Sequence, residues 1–200
     1  MEILFKINNK DIPKINTTIL HTSRSNYNVD MLEFINNNCE VIIKTSRTDI
    51  NDIPLKILDS YNCLELAKKD ELTNNDEIKI NILKSLCSEK EVIVFYDILN
   101  YIDNELKDKL IKELIKQDKT IINYTTEIEE TLYLDYLIIV HENKVIMEGQ
   151  TKEVLNEEKI IKKLGFNMPL ITELSSGLKY YGVVNKKYYD IESLVEDLWK

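Results

Sequence analysis

Residues 89–103 read EKEVIVFYDILNYID, and an α/β architecture follows from them. The run EKEVIVFY (89–96) is short, β-branched and apolar without alternation, the pattern of a strand covered on both faces. Behind it, residues 104–117 carry Leu106, Leu110 and Leu114 at four-residue spacing with charges on the other face, which predicts an amphipathic helix. Asp103 stands where that helix needs an N-cap. Towards the C-terminus, KTIINY (119–124) repeats the buried-strand pattern and residues 127–134 predict a helix. YLIIVHENKVIMEG (136–149) then reads as two strands, 136–141 and 144–148, around a tight Glu142-Asn143 turn. Strands that alternate with helices imply right-handed crossovers and a mainly parallel sheet flanked by helices.

Upstream, TTILHT (17–22) and CEVIIKT (39–45) read as strands, residues 29–36 as a short helix and 48–51 as a loop. Residues 76–86 predict a helix with Ile78, Ile82, Leu83 and Leu86 on one face. After Gly149 the chain turns helical. Residues 151–164 give one or two short helices ended by Gly165, and residues 169–181 another with Pro169 at its first turn. Residues 191–199 give the last, capped by Asp190, with Ile191, Leu194, Val195, Leu198 and Trp199 as its apolar stripe. No internal repeat and no linker interrupts the chain.

The net charge is −9, and the excess of acid lies wholly before residue 150. Such a field repels nucleic acid, so no nucleic-acid partner is expected. No apolar run approaches the roughly 20 residues of a membrane-spanning helix and no signal peptide is visible, so the expected location is the cytoplasm. Cys39, Cys63 and Cys87 show neither a CxxC pair nor a clustered histidine. They read as buried free thiols rather than a disulfide framework or a zinc site.

The last segment, EGQTKEVLNEEKIIKKLGFNMPLITELSSGLKYYGVV and YYDIESLVEDLWK, resembles the end of the ATPase subunits of energy-coupling-factor transporters, an ABC ATPase branch. VIVFYDILNYID (92–103) is similar to the Walker B and D-loop block, KTIINYTTEIEET (119–131) to the switch block and LTNNDEIKINILKSL (72–86) to the signature and its helix. TILHTSRSNYNVDML (18–32) falls where the P-loop belongs. The resemblance implies an ABC-ATPase-like, P-loop NTPase-derived core over residues 1–149. It also implies a reduced helical subdomain and a C-terminal helical extension, residues 150–200, of the kind that joins two ATPase subunits. The β-subdomain would be reduced to residues 2–16, with Phe5 in the core.

Set against that family pattern, the positions that do chemistry depart from it. Thr22, Ser25 and Tyr27 stand in place of the P-loop glycines, Asn28 in place of the phosphate lysine and Val29 in place of the magnesium-binding hydroxyl. All four glycines of the chain lie at or after Gly149, whereas a loop that wraps phosphate needs residues free to take positive φ. Thr73, Asn74, Asn75 and Asp76 replace the signature. Tyr96 takes the place of the Mg²⁺-associated aspartate, Asp97 that of the glutamate that activates water, and Thr126 that of the switch histidine. The lysine, the hydroxyl and the carboxylates together hold Mg²⁺ and the phosphates. Their loss predicts a pseudo-ATPase with no cofactor, and a structural role for Asp97 and Asp103. His21 and His141 read as packed or surface residues.

Three functions follow as expectations. The first is a non-hydrolysing subunit or scaffold, paired with itself or with an active ABC ATPase paralogue. Its interaction surface would be Leu170, Leu174, Leu178 and Trp199, with Gly177 admitting a close neighbour. The second is a transporter subunit that binds ATP and Mg²⁺, coupled to a membrane subunit and peripheral at the inner face of the membrane. Shortening between residues 22 and 72, where a groove for such a subunit belongs, weighs against it. The third is a small-ligand module that reuses the old cleft, lined by Tyr27, Tyr96, Tyr101 and Tyr124.

Overall fold

In a computed structural model, residues 3–7, 10–22 and 39–199 are described. The predicted helix at 29–36, the Phe5 side chain, and Ser25, Tyr27, Asn28 and Val29 lie outside the described residues and side chains. Strands β1 (Ile3–Ile7) and β2 (Lys10–Pro13) pair as an antiparallel hairpin. The main sheet holds β3 (Thr17–His21), β4 (Cys39–Ile43), β5 (Val92–Tyr96), β6 (Thr120–Thr125), β7 (Tyr136–His141) and β8 (Lys144–Gln150). Its order is β4-β5-β6-β3-β7-β8, parallel throughout except for β8 at the edge.

Both faces of the sheet are covered, which is why its central strands are continuous apolar runs. Ile93 and Phe95 of β5 point to a core shared with Ile42, Ile121 and the helices, whereas Val92, Val94 and Tyr96 point to the other face, beside Ile19, Ile122, Tyr124 and Ile12 of the hairpin. The sharp return between β7 and β8 has Glu142 and Asn143 both at positive φ, 48° and 62°. That is the left-handed pair of a two-residue hairpin turn whose twist suits the flanking strands.

Helix α1 (Leu55–Ser60) follows β4, and α2 (Asn74–Lys84) and α3 (Asn104–Lys116) flank β5 in sequence. Asp103 caps α3, its carboxylate accepting from the Leu106 N–H at 2.9 Å. Leu110 and Leu114 are buried and Leu106 is half-buried, as the spacing requires. The charges of α3 do not all face water, however. Lys107 is buried because it lies four residues before Ile111 and three before Leu110, on the margin of the apolar stripe, where Glu130 meets it.

Other departures are local. Residues 127–134 do not form an α-helix. Ile128–Tyr133 winds as a tighter 3-10 helix, in which the Thr131 hydroxyl donates to the Ile128 carbonyl at 2.7 Å, the side-chain competition that makes threonine a poor helix-interior residue. The helix expected at 76–86 is α2, two residues earlier at both ends and followed by a 3-10 turn, Ser85–Cys87. That turn carries the Cys87 side chain outward, so Cys39 and Cys63 are buried but Cys87 is exposed. Part of the loop near residue 50 is a 3-10 turn, Ile50–Asp52, capped by Asp49.

After β8 come α4 (Thr151–Val154), α5 (Glu158–Lys163), α6 (Leu170–Tyr180) and α7 (Ile191–Leu198). Val154, Leu155, Ile161 and Met168 pack on Leu20, Leu137 and Ile139 of the sheet. Ile171, Val184, Tyr188 and Leu194 make a small further core. Asp190 caps α7 by accepting from the Ser193 N–H at 2.7 Å, and Pro169 precedes α6. A Cβ on Gly177 would meet nothing within 4 Å, so no neighbour within the described chain explains that glycine.

Candidate functional site

The carboxyl ends of β3, β5 and β6 converge at one edge of the sheet, where open parallel sheets bind ligands. The parallel register sets Tyr96 beside Tyr124, and their rings stack with centroids 4.6 Å apart. His21, the last residue of β3, also stacks on Tyr124, at 4.1 Å, with its ring 6.5 Å from that of Tyr96. The three rings form a packed, angled ladder, and all three residues are buried. Each adjacent pair adds about 0.5–1.5 kcal/mol beyond the area it removes from water.

Asp97 follows Tyr96 with φ at 49°, a left-handed conformation that aspartate tolerates better than most residues. Its N–H donates to the Tyr124 carbonyl at 2.8 Å. Its Oδ1 accepts from the Thr126 N–H at 3.2 Å and lies 3.5 Å from the Thr126 hydroxyl. Its Oδ2 lies 3.9 Å from His21 Nε2. Tyr96, Asp97 and Thr126, singled out from the sequence, are therefore brought together, and the carboxylate is held by its neighbours in a fixed orientation.

Other sequence candidates are placed elsewhere. Thr22, at the end of β3, donates its N–H to Val140 O at 3.2 Å, and its hydroxyl meets His141 Nδ1 at 2.7 Å. Thr73 to Asp76 open α2 as a capping box: Thr73 Oγ1 accepts from the Asp76 N–H, and Asp76 accepts from the Thr73 N–H at 3.0 Å. Leu170, Leu174 and Trp199 are exposed, by 73%, 50% and 85%, while Leu178 is half-buried against the small C-terminal core. The stacking of His21 was not legible, because a histidine closing a strand carries no signal of its ring neighbours.

Asp76 also carries a stability consequence. The Lys69 ammonium at 2.7 Å, followed by the Thr73 hydroxyl, holds its carboxyl down from the ordinary 3.8 to about 2. A carboxyl depressed in the folded state stabilises fully above its ordinary range and loses that contribution as pH falls through the folded value. Asp76→Asn is expected to cost about 1 kcal/mol at neutral pH, the scale of an exposed cap and ion pair. The difference should vanish as pH falls from about 4 to about 2, followed by urea unfolding across that range.

The sheet order and these solved folds identify the architecture. An ATP-binding cassette of an ABC transporter superposes with a TM-score of 0.56, covering 78% of this chain and 90% of that one at 14% identity. A bacterial Atm1-family ABC exporter superposes at 0.60, covering 76% and 36% at 8% identity. The chain has the fold of an ABC ATPase domain, a P-loop NTPase fold. In sequence it is similar to the energy-coupling factor transporter ATP-binding protein EcfA1 of Mesomycoplasma hyopneumoniae (strain J), 29% identical over 84% of this chain and 65% of that protein. EcfA1 of Mycoplasmopsis synoviae (strain 53) is 29% identical over 68% of this chain and 51% of its own length. The chain thus spans between about half and two thirds of these relatives. No protein-family model matches it. Among the described residues, no helix is long and apolar enough to cross a membrane.

Proposed function

We propose that this chain is an energy-coupling-factor-type ATPase homologue that does not hydrolyse ATP and serves as a non-hydrolysing subunit, pairing through its C-terminal helices with itself or with an active ATPase subunit. The observation that carries the reading is the ring ladder. Tyr96, which the family resemblance sets in place of the Mg²⁺-associated carboxylate, has its ring packed against Tyr124 rather than offered to a cation. Mg²⁺ takes oxygen ligands, principally carboxylates and phosphates, and a neutral phenol is a poor substitute. One oxygen of Asp97, Oδ1, is engaged by the Thr126 N–H. At the signature position, α2 begins with its own carboxylates, Asp76 and Glu77, in the first turn. A helix start can hold a phosphate through its free N–H groups and positive end, and here acid side chains oppose that use.

Residues 150–200 are proposed as the pairing unit and residues 1–149 as the ATPase-like core. Leu170 and Leu174 of α6 and Trp199 at the end of α7 present apolar surface to solvent, and exposed apolar groups that form a patch mark interaction sites. Gly177 leaves room on the same helix for a partner backbone. The association would sit at the cytoplasmic face of a membrane if a transporter subunit completes it.

Calorimetry with Mg²⁺-ATP and light scattering on the same sample test this. No saturable nucleotide binding and a dimer are expected, and Leu174→Asp should weaken the dimer at least about tenfold, a loss of roughly 1.4 kcal/mol or more. Saturable binding with turnover would overturn the reading. A second reading, an ATP-binding subunit of an energy-coupling-factor transporter, is favoured by the names of the relatives. Binding without turnover, together with capture by a membrane subunit, would select it.

A further inference from the structure

Beside the ring ladder, between the ends of β4 and β5, lies a cleft of about 250 Å³ lined by Ile43, Lys44, Thr45, Tyr96, Asp97, Asn100 and Tyr101. Its volume is below the roughly 300–1,000 Å³ of sites for drug-sized ligands, which suits a small occupant. Its lining carries charges of both signs. Lys44 Nζ donates to the Tyr101 hydroxyl at 2.7 Å and stands 4.9 Å from the centre of that ring, which holds the ammonium on one wall. The Asp97 carboxylate on another wall is oriented by the Thr126 N–H and by a left-handed backbone. Conformations of that kind persist where surrounding structure fixes them, and they cluster at binding sites.

We propose that this cleft binds a small zwitterion of the α-amino acid type, its carboxylate towards Lys44 and its ammonium towards Asp97. A polyphosphate would meet one cation and an opposing carboxylate. A plain amine or a plain carboxylate would meet only one charge of opposite sign. A ligand bearing both charges satisfies both walls, and Ile43 and Tyr101 supply apolar surface. Thr45 and Asn100 add a hydroxyl and an amide, the few convergent polar groups that fix a ligand's orientation in a small site. The inference does not depend on whether ATP hydrolysis is lost.

Calorimetry on the full chain with each standard L-amino acid, with acetate, with methylammonium and with Mg²⁺-ATP tests it. Saturable binding of at least one amino acid is expected, with no binding of acetate or methylammonium. Lys44→Met and Asp97→Asn should each weaken that binding by about tenfold or more, the scale of one lost charge-assisted hydrogen bond. Asparagine tolerates the left-handed backbone at position 97 and Lys44 is exposed, so both variants should keep the far-ultraviolet circular dichroism of the parent. The proposal is overturned if no amino acid binds, if acetate or methylammonium binds as well as the amino acid, or if both variants bind unchanged. Mg²⁺-ATP binding that leaves the amino acid in place would count against the expected absence of nucleotide binding, not against the cleft. Displacement of the amino acid by Mg²⁺-ATP would count against the separate cleft.

Discussion

Lys107→Ala is expected to lower the free energy of unfolding by about 3–5 kcal/mol, the cost of leaving one member of a buried ion pair alone. Lys107 and Glu130 expose only 7% and 2% of their side chains, and Lys107 Nζ stands 3.4 Å from Glu130 Oε1. The other carboxylate oxygen accepts from Asn123 Nδ2 at 2.9 Å, and the ammonium lies 5.4 Å from the centre of the Tyr133 ring. With the lysine gone, one amide hydrogen bond would remain to a carboxylate that cannot reach water. Glu130→Gln removes the charge but keeps the shape, and should cost less than Lys107→Ala. The double variant Lys107→Met, Glu130→Gln should recover most of the loss, because no buried charge then remains unpaired. Urea unfolding of the three variants gives the comparison. A cost for Lys107→Ala of under about 1 kcal/mol, the range of exposed pairs, would show that the lysine reaches solvent.

That pair also marks the limit of sequence reading for this chain. The strands at 92–96, 120–125 and 136–141 were legible because a parallel strand buried on both faces needs an unbroken apolar run. The caps Asp103 and Asp190 and the Glu142-Asn143 turn were legible because each works through its own backbone neighbourhood. Lys107 was read as solvated, since periodicity places a side chain on a helix face but does not reveal a carboxylate 23 residues away. The site divides in the same way. That Tyr96 and Asp97 stand at the end of a buried strand could be read directly. The stacking of Tyr96 on Tyr124 depends on parallel register, and that of His21 on strand order, neither of which a single segment encodes. The 3-10 winding at Ile128–Tyr133 depends on one hydroxyl preferring a local carbonyl. Propensity over a window averages that preference away.

Tyr124→Ala is expected to cost about 3–5 kcal/mol, the range for truncating a buried aromatic residue. Tyr124 is buried in β6 and stacks with two rings, His21 at 4.1 Å and Tyr96 at 4.6 Å. Truncation therefore loses transfer energy, leaves a cavity and breaks two stacked pairs, each worth about 0.5–1.5 kcal/mol beyond area. Tyr124→Phe keeps the stack and should cost far less, and the difference between the two variants isolates the ring from the hydroxyl. Thermal and urea unfolding measure both. The comparison also bears on function. If the ladder is the structural core of this sheet edge, Tyr124→Ala should unfold more readily and, on the proposed reading, bind no Mg²⁺-ATP, because removing a ring supplies neither a cation nor a carboxylate at position 96. If Tyr124→Ala were instead nearly neutral in stability and bound Mg²⁺-ATP, the rings would be a movable plug over a working nucleotide site. The edge would then be gated rather than rebuilt.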